Sequence, residues 1–302
     1  MYAVRACLVG KRLLMTILRL LRVHQWVKNL LVFFPLFFAL KFTDLTLLAR
    51  SCAAFLFFSL TASAIYIIND LRDVAEDRLH PDKRHRPIAS GAISHISALF
   101  IAATLFIVGL GGASFYNKQL FLILAAYCVM NVLYSMVFKR IPLLDIFVIA
   151  TGFLLRLLAG TDHAGITSVL PSQWIILMTF LLALFLAFAK RRDDVLLAGE
   201  GKKTRSAIHG YNLEFINSAL AVMMAVLILA YILYTIDPAT ARHFGSDKIY
   251  LTVIFVILGL FRYLQLTLVY QKSSQPTDLL LRDRFLQLTI LCWIALFVIL
   301  VY

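Results

Sequence analysis

The sequence predicts an all-α, multi-pass membrane protein, and three observations support this fold class. Mean hydropathy is +0.88, 62% of the 302 residues are hydrophobic, and only 15% are charged. Apolar runs of about 20 residues, the length that crosses ~30 Å of hydrocarbon as a helix, recur along the whole chain. These runs lack the alternation of lipid-facing strands, which excludes a membrane β-barrel.

The apolar runs predict nine transmembrane helices, although Pro35 and Lys28 weaken the first of them as a continuous helix. The runs lie at residues 27–42, 47–68, 93–113, 118–138, 141–160, 172–189, 213–235, 249–270 and 285–302. Residues 1–24 have scattered basic residues and no small-residue cleavage site, which predicts an interfacial amphipathic segment rather than a signal peptide. We expect residues 1–302 to form a single transmembrane domain.

The net charge of +13 indicates membrane orientation rather than nucleic-acid binding, because of where the charge lies. Most Lys and Arg residues fall in the N-terminal segment and in every second connection between the runs. The positive-inside rule places these parts, and the N-terminus, in the cytoplasm. We expect a bacterial cytoplasmic (inner) membrane location. The four cysteines are widely spaced and suggest neither a disulfide framework nor a zinc site.

A concentration of charge, NDLRDVAEDRLHPDKRHRPIASG, follows the second run at residues 69–91. If the helix continues, Asn69, Asp73 and Asp77 fall on one stripe, with Asp70 beside it. Carboxylates at this spacing repel, so a cation is expected between them. Amide and carboxylate oxygens suit Mg2+, with other positions filled by water or substrate phosphate. The alternative is a solvated loop in which the acids pair with Arg72, Arg78, Lys83 and Arg84.

The same stretch continues with cations that predict a phosphate clamp. Lys83, Arg84 and Arg86 follow the carboxylates directly, and Pro81 and Pro87 stiffen the loop. A metal ion together with these cations implies a polyanionic substrate, and the cytoplasmic face is then the reactive face. A plain basic loop on the cytoplasmic side is the competing interpretation.

Polar residues at other cytoplasmic helix ends are further candidates. Tyr134 and Lys139 end the fourth run, and Asp145 lies about one turn into the fifth. A carboxylate at that depth is costly, which makes Asp145 a candidate to orient another group or to contact a sugar hydroxyl. The alternative is a carboxylate neutralised by Lys139 or Arg140.

The sixth run ends in the sequence KRRDD. Lys190 and Arg191 suit a diphosphate leaving group, and a membrane anchor for the helix end is the alternative. Asp193 and Asp194 are adjacent, so their side chains point in different directions on a helix. Arg156 and Arg262 lie within apolar runs. We place Arg156 near the far face from its distance along the helix, and neither arginine is assigned to the site.

These motifs resemble the UbiA-type intramembrane prenyltransferase superfamily, which has NDxxDxxxD at the end of its second helix. Other segments resemble one branch, the decaprenyl-phosphate phosphoribosyltransferases: HQWVKNLLVFFPL (24–36), FVIATGFLLRLLAG (147–160), AKRRDD (189–194) and LLLRDRFLQL (279–288). The resemblance covers nearly the whole chain. It implies nine helices around a cytoplasm-facing cavity that is accessible to lipid.

The resemblance implies an Mg2+-dependent enzyme of cell-envelope biosynthesis. It would transfer 5-phosphoribose from 5-phosphoribosyl 1-diphosphate to a polyprenyl (decaprenyl) phosphate, with release of diphosphate. One alternative is prenyl transfer from a polyprenyl diphosphate to an aromatic acceptor such as 4-hydroxybenzoate. A second is a lipid transporter or lipid-binding protein, which would have charges near the middle of the membrane. The sequence leaves a homo-oligomer open.

The resemblance also bears on single residues. Lys28 and Asn29, which by position alone are interfacial anchors, match QWxKN and become substrate-binding candidates. Asp194 matches the acid that follows Lys-Arg in the phosphoribosyl branch. The chain lacks the DxxxD that the superfamily usually carries here, which puts a full second metal site in doubt. The catalytic candidates are Asp73, Asp77 and Lys190.

Overall fold

The structure is a computed structural model that describes residues 14–79, 83–167, 169–199, 210–271, 279–280 and 282–301. This part of the chain is helical and contains no strand. Its residues form two compact units, one from the ranges 1–135 and 155–170 and one from the ranges 136–154 and 171–302, in each case the described residues only. The single domain stays a prediction. Residues 1–13 of the expected interfacial segment lie outside the described residues, and residues 14–20 are helical.

The first unit is built around one long helix, α2. In chain order the elements are a 3-10 helix at Val23–Phe33, α1 (Phe34–Phe38), α2 (Leu45–Arg72), α3 (Val74–Leu79), α4 (His95–Phe106), a π-helical turn (Ile107–Gly111), α5 (Gly112–Tyr116) and α6 (Lys118–Met136). Asp44 begins α2 by accepting hydrogen bonds from the backbone N–H groups of Thr46 and Leu47. Apolar side chains of α2 and α6, including Phe58 and Leu124, form its core.

The second unit consists of the helices that follow. They are most of α7 (Leu144–Leu158, which ends in the first unit), α8 (Gln173–Gly199), α9 (Leu213–Ile236), α10 (Pro238–Phe244), α11 (Val253–Leu268) and α12 (Arg284–Val301). Within this unit α8 packs against α9, α9 against α11, and α11 against α12. Arg262 on α11 forms an ion pair with Asp283, whose carboxylate also accepts the backbone N–H of Leu286 at the start of α12. Arg262 therefore joins two helices.

Seven helical segments of the described residues are long and apolar enough to cross a membrane, which confirms a multi-pass membrane protein. The count of nine is not confirmed. The first run forms the 3-10 helix and five-residue α1, because Pro35 in the first turn of α1 has no N–H to continue a longer helix. The fifth run forms α7, whose 15 residues extend only about 22 Å.

Two glycines of the first unit allow backbones to approach closely. A Cβ on Gly109 would lie 2.6 Å from the Thr61 Oγ1 of α2, and a Cβ on Gly160 would collide with the carbonyl oxygen of Val32. Small residues at helix contacts are the usual means of close packing in membranes, where burial from water supplies little driving force. These contacts fix the π-helical turn and the 3-10 helix within the first unit.

Candidate active site at the aspartate-rich helix end

The predicted acidic stripe of Asn69, Asp73 and Asp77 keeps its helical spacing across a break between two helices. Asp73 ends α2, and α3 begins at Val74. The backbone N–H of Asp73 still donates to the carbonyl oxygen of Asn69 at 2.9 Å, and that of Asp77 donates to the carbonyl oxygen of Asp73 at 2.8 Å. Because this i to i+4 register continues across the break, Asn69, Asp73 and Asp77 keep helical spacing.

A guanidinium group lies between two of the carboxylates. Arg86 Nη1 is 2.9 Å from Asp70 Oδ1 and 2.6 Å from Asp77 Oδ2. Arg22 Nη2 donates to the same Asp70 oxygen. The sequence predicts a cation between these acids, and the structure places Arg86 there. The arginines are not those considered for a solvated loop, since Arg78 instead donates to the carbonyl oxygen of Ala89.

Arg22 is a functional candidate that sequence analysis missed. It begins the 3-10 helix in a left-handed conformation, with φ of 51° and ψ of 46°. Its guanidinium lies 5.0 Å from the ring centroid of Tyr66 on α2, while also binding Asp70. The contact joins residues 48 positions apart, and a single basic residue in a basic segment gives no signal for such a contact.

Asp73 and Asn69 are the more available oxygen ligands. The Asp73 side chain is half-buried and makes no hydrogen bond or ion pair within the described part of the chain. Asn69 Oδ1 accepts a hydrogen bond of 3.0 Å from the hydroxyl of Ser135. Among the described residues no group of three His, Cys, Asp or Glu side chains is arranged to hold a metal ion.

The chemical types of these side chains nevertheless suit a hard divalent cation. Asn69, Asp73 and Asp77 offer amide and carboxylate oxygens at helical spacing, and the Asp73 carboxylate makes no competing contact in the described residues. Such oxygens, with water or phosphate completing the shell, are what Mg2+ prefers. The Arg86 ion pair with Asp77 is the contact that metal binding at this set would have to replace.

The three predicted clamp residues, Lys83, Arg84 and Arg86, lie in different local environments. Lys83 and Arg84 lie in a 3-10 turn, and exposed Arg84 donates to the His85 ring at 3.3 Å. Arg86 forms ion pairs with Asp70 and Asp77. Two residues further on, Ile88 is buried in an apolar cluster with Leu20 and Ile67. Arg86, one of the three predicted clamp residues, is therefore in direct contact with Asp70 and Asp77.

Asn29, in the 3-10 helix, contacts α2 away from its acidic end. Its side chain is buried, donates to Ser59 Oγ at 2.9 Å and accepts from Arg156 Nε at 2.8 Å. Ser59 precedes Asn69 by ten residues, about 15 Å along the helix. The structure thus places Asn29 away from the acidic stripe. Lys28 is one of three cations near the Tyr66 hydroxyl, and Tyr134 is half-buried near the end of α6.

Arg156 makes several buried contacts that the sequence does not predict. It lies in the last turn of α7, is 5% exposed, and donates to the Tyr127 hydroxyl at 2.8 Å as well as to Asn29. Its guanidinium carbon lies 5.2 Å from the Phe58 ring centroid and 4.9 Å from that of Tyr127. An intramembrane arginine is a candidate for a special role by default, and this signal was available in the sequence.

The second unit contains a separate buried network. Arg191 Nε donates to Asp145 Oδ2, and Arg191 Nη1 donates to Asp194 Oδ2, both at 2.6 Å. The Tyr211 hydroxyl donates to Asp145 Oδ1 at 2.7 Å. Asp145 and Arg191 are almost fully buried, whereas the Asp194 side chain is 22% exposed. Asp145 is thus neutralised by Arg191, and not by Lys139 or Arg140 as in the alternative drawn from the sequence.

Adjacent residues at the end of α8 point in different directions, as the sequence predicts. Arg192 Nε donates to Asn217 on α9, and Arg192 Nη1 donates to the carbonyl oxygen of Thr267 on α11. Asp193 is buried, whereas Asp194 remains partly exposed. Lys190 is half-buried, and Lys139 lies in a short 3-10 helix at Phe138–Arg140.

Tyr211 is a residue of this network that sequence analysis missed. Its hydroxyl accepts the backbone N–H of Leu143 at 2.6 Å, in the turn just before α7, while donating to Asp145. Leu143 has a φ of 66°, an unfavourable conformation for a branched side chain, so the hydrogen bond holds a strained turn. Burial raises the pKa of the Tyr211 hydroxyl, which therefore stays protonated and able to donate near neutral pH.

We expect Tyr211→Phe to destabilise the protein by about 1–3 kcal/mol, because the buried Asp145 carboxylate loses a donor and the Leu143 N–H loses its acceptor. Thermal unfolding in detergent micelles would measure this effect. Tyr250→Phe, at an exposed tyrosine of the same unit, is the matched control. Equal midpoints for wild type and Tyr211→Phe would contradict the role of the hydroxyl.

The fold and these residues define a helical, multi-pass membrane protein with a candidate metal- and phosphate-binding site at the end of its longest membrane helix. Residues 30–301 match the UbiA prenyltransferase family, and the chain belongs to this family. It is therefore a transferase, which removes the transporter or lipid-binding alternative.

Known proteins similar to the chain support this placement. The chain is 31% identical over 287 residues to a decaprenyl-phosphate phosphoribosyltransferase of Mycobacterium tuberculosis, covering 92% of each chain. It is 30% identical to the enzyme of the same name from Mycolicibacterium smegmatis, covering 94% of this chain and 92% of that one. The fold is similar to a UbiA homologue from Archaeoglobus fulgidus bound to GPP and Mg2+, with a TM-score of 0.65, 21% identity, and coverage of 93% and 99%.

Proposed function

We propose that the protein transfers 5-phosphoribose from 5-phosphoribosyl 1-diphosphate to a polyprenyl phosphate and releases diphosphate. The observation that carries this proposal is the similarity to two decaprenyl-phosphate phosphoribosyltransferases along almost the full length of both chains. The acidic helix end and its adjacent cations are chemically suited to such a polyanionic sugar donor.

In this reaction the bond between sugar C1 and the diphosphate oxygen breaks, and a bond forms between C1 and an acceptor phosphate oxygen. The acceptor phosphate is already anionic near neutral pH, so no general base is required. Asn69, Asp73 and Asp77 would hold Mg2+, and the bound ion would neutralise charge that develops on the leaving diphosphate. Lys83 and Arg84 would bind the phosphate groups of the sugar donor.

Tyr134 of the first unit and the predicted residues of the second unit are assigned within the same proposal. Lys190 would neutralise charge on the leaving diphosphate, and Lys139 and Tyr134 would contact substrate. Asp194 is the partly exposed end of the buried network and remains a substrate-binding candidate. Asp145 and Arg191 are buried in mutual contact, which favours an orienting role over direct contact with substrate.

The membrane orientation is part of the proposal. Lys83, Arg84 and Arg86 lie in the basic connection that the positive-inside rule assigns to the cytoplasm. We assign the N-terminus and the acidic helix end to the cytoplasmic side of a bacterial inner membrane. The water-soluble sugar donor would then arrive from the cytoplasm, and the lipid acceptor from the bilayer.

Prenyl transfer to an aromatic acceptor is the second candidate function. The Archaeoglobus fulgidus homologue, which shares the fold, was solved with GPP and Mg2+. Binding of a prenyl diphosphate would use the same kind of metal and phosphate contacts, so the identity of the diphosphate substrate separates the two functions.

The test is transfer of radiolabel from 5-phosphoribosyl 1-diphosphate into extractable lipid. Purified protein is incubated with decaprenyl phosphate and Mg2+, and a matched reaction contains EDTA. We expect labelled lipid that EDTA abolishes. Absence of label, together with Mg2+-dependent prenylation of 4-hydroxybenzoate from a polyprenyl diphosphate, would contradict the phosphoribosyl proposal and support the second candidate.

A further inference from the structure

We infer that Arg86 and the divalent cation compete for the carboxylate of Asp77, so that metal binding releases Arg86 to bind phosphate of the sugar donor. The inference rests on the metal site of the proposed function and gives Arg86 two alternative partners. It links metal affinity to a residue that supplies no metal ligand itself.

One nitrogen atom of Arg86 carries the contact. Its Nη1 is within hydrogen-bond distance of Asp70 Oδ1 and Asp77 Oδ2, at 2.9 Å and 2.6 Å. Both carboxylate side chains are only 4% exposed, while that of Arg86 is 29% exposed. A partly buried ion pair is screened less than one in water, so it contributes to how strongly these carboxylates bind another cation.

The guanidinium and a divalent cation cannot share the Asp77 carboxylate without cost. Like charges a few ångströms apart repel, and Asp77 Oδ2 already accepts a short, charge-assisted hydrogen bond. Arginine stays protonated, so the guanidinium must move away rather than lose its proton. The Asp73 side chain makes no hydrogen bond or ion pair within the described residues, so it would supply a first ligand without such a displacement.

Displacement of Arg86 has a consequence for the sugar donor. A guanidinium that leaves a carboxylate regains N–H groups suited to two-point binding of phosphate. By thermodynamic reciprocity, a phosphate group that attracts Arg86 strengthens metal binding by the same factor as the metal strengthens phosphate binding. Metal and sugar donor would therefore bind cooperatively.

The test measures binding of Mn2+ alone, by electron paramagnetic resonance of free Mn2+, to purified full-length protein in detergent without substrates. The variants are Arg86→Ala and Arg86→Gln, with Arg84→Ala as the control. Arg84 is a cation of the same loop whose one contact among the described residues is with His85. We expect the Mn2+ dissociation constant to fall about tenfold in both Arg86 variants and to change less than about twofold in Arg84→Ala.

A second readout distinguishes this role from a purely structural one. In the transfer assay Arg86→Gln should raise KM for the sugar donor while it lowers the Mn2+ dissociation constant. Loss of structure would instead weaken the binding of both the sugar donor and Mn2+. Size-exclusion profiles and thermal unfolding identify a misfolded variant. The Gln variant keeps a polar side chain that can still donate to one carboxylate, in case Arg86→Ala does not fold.

The inference is overturned if folded Arg86 variants bind Mn2+ no more tightly than wild type, or if Arg84→Ala gains as much affinity as they do. The measurement needs no sugar donor. Tighter Mn2+ binding by the Arg86 variants would therefore support the competition even if the protein proves not to transfer phosphoribose, and a positive transfer assay would stand even if the competition is absent.

Discussion

Replacing Asp73 with alanine or asparagine should reduce transfer activity about a thousandfold or more, with membrane insertion and folding intact. Removing one group that stabilises the charge developing in an enzyme's transition state lowers the rate by factors that reach about a thousand. Asp73 is the cleanest position to test, because its carboxylate makes no contact within the described residues whose loss would alter stability. The assay is label transfer to lipid at saturating Mg2+.

The matched control is Glu76→Ala, at an exposed acid of α3. Asp77→Ala should also abolish transfer, but it removes the Arg86 ion pair as well and is expected to lower the unfolding temperature. Near-normal turnover in both Asp73→Asn and Asp77→Ala would exclude these acids as metal ligands, whatever the identity of the substrate.

Replacing Arg191 with methionine should cost about 3–5 kcal/mol of stability, the largest effect we expect on folding. The substitution leaves the Asp145 carboxylate, which has no exposed surface, with Tyr211 as its one remaining side-chain donor among the described residues. Removing one partner of a buried ion pair is strongly destabilising, whereas removing both is often close to neutral.

Thermal unfolding of a double-mutant cycle would check this explanation. Asp145→Leu combined with Arg191→Met should recover much of the stability that Arg191→Met loses. Arg140→Met, at an exposed arginine near the start of α7, is the control. A double variant as unstable as the sum of the single variants would show that Arg191 acts through packing rather than through its charge.

Local features of the fold and site follow from the sequence. The Asn69, Asp73 and Asp77 spacing holds because it depends on a backbone register that repeats every four residues, and the short break at Asp73 does not disturb it. The apolar runs correctly indicate a multi-pass helical protein. The count of nine spans is not confirmed, because the helix is short where Pro35 interrupts the first run and where α7 has only 15 residues.

Long-range contacts could not be predicted in the same way. Arg86 reaches Asp70 across 16 residues because the loop folds back, and Tyr211 reaches Asp145 across 66. Each partner is one of several polar residues with equivalent local signals, so sequence spacing cannot choose among them. The sequence therefore makes Asp145 a candidate to orient another group or to contact a sugar hydroxyl, and Arg191 a candidate for the leaving diphosphate. The structure pairs the two with each other.

The Arg156 cluster has a consequence for how the chain enters the bilayer during synthesis. Arg156 is separated from Asn29 by 127 residues and from Tyr127 by 29, and both partners leave the ribosome before it. An arginine in a helix that enters hydrocarbon alone is costly, by about 2.5–3.5 kcal/mol at the centre of a span on insertion scales and by less toward its end. When α7 is synthesised, the oxygen atoms and aromatic rings that contact Arg156 already exist in earlier segments of the chain. Membrane insertion of α7 therefore depends on those segments, and we expect loss of Asn29 to reduce insertion before it affects the folded protein.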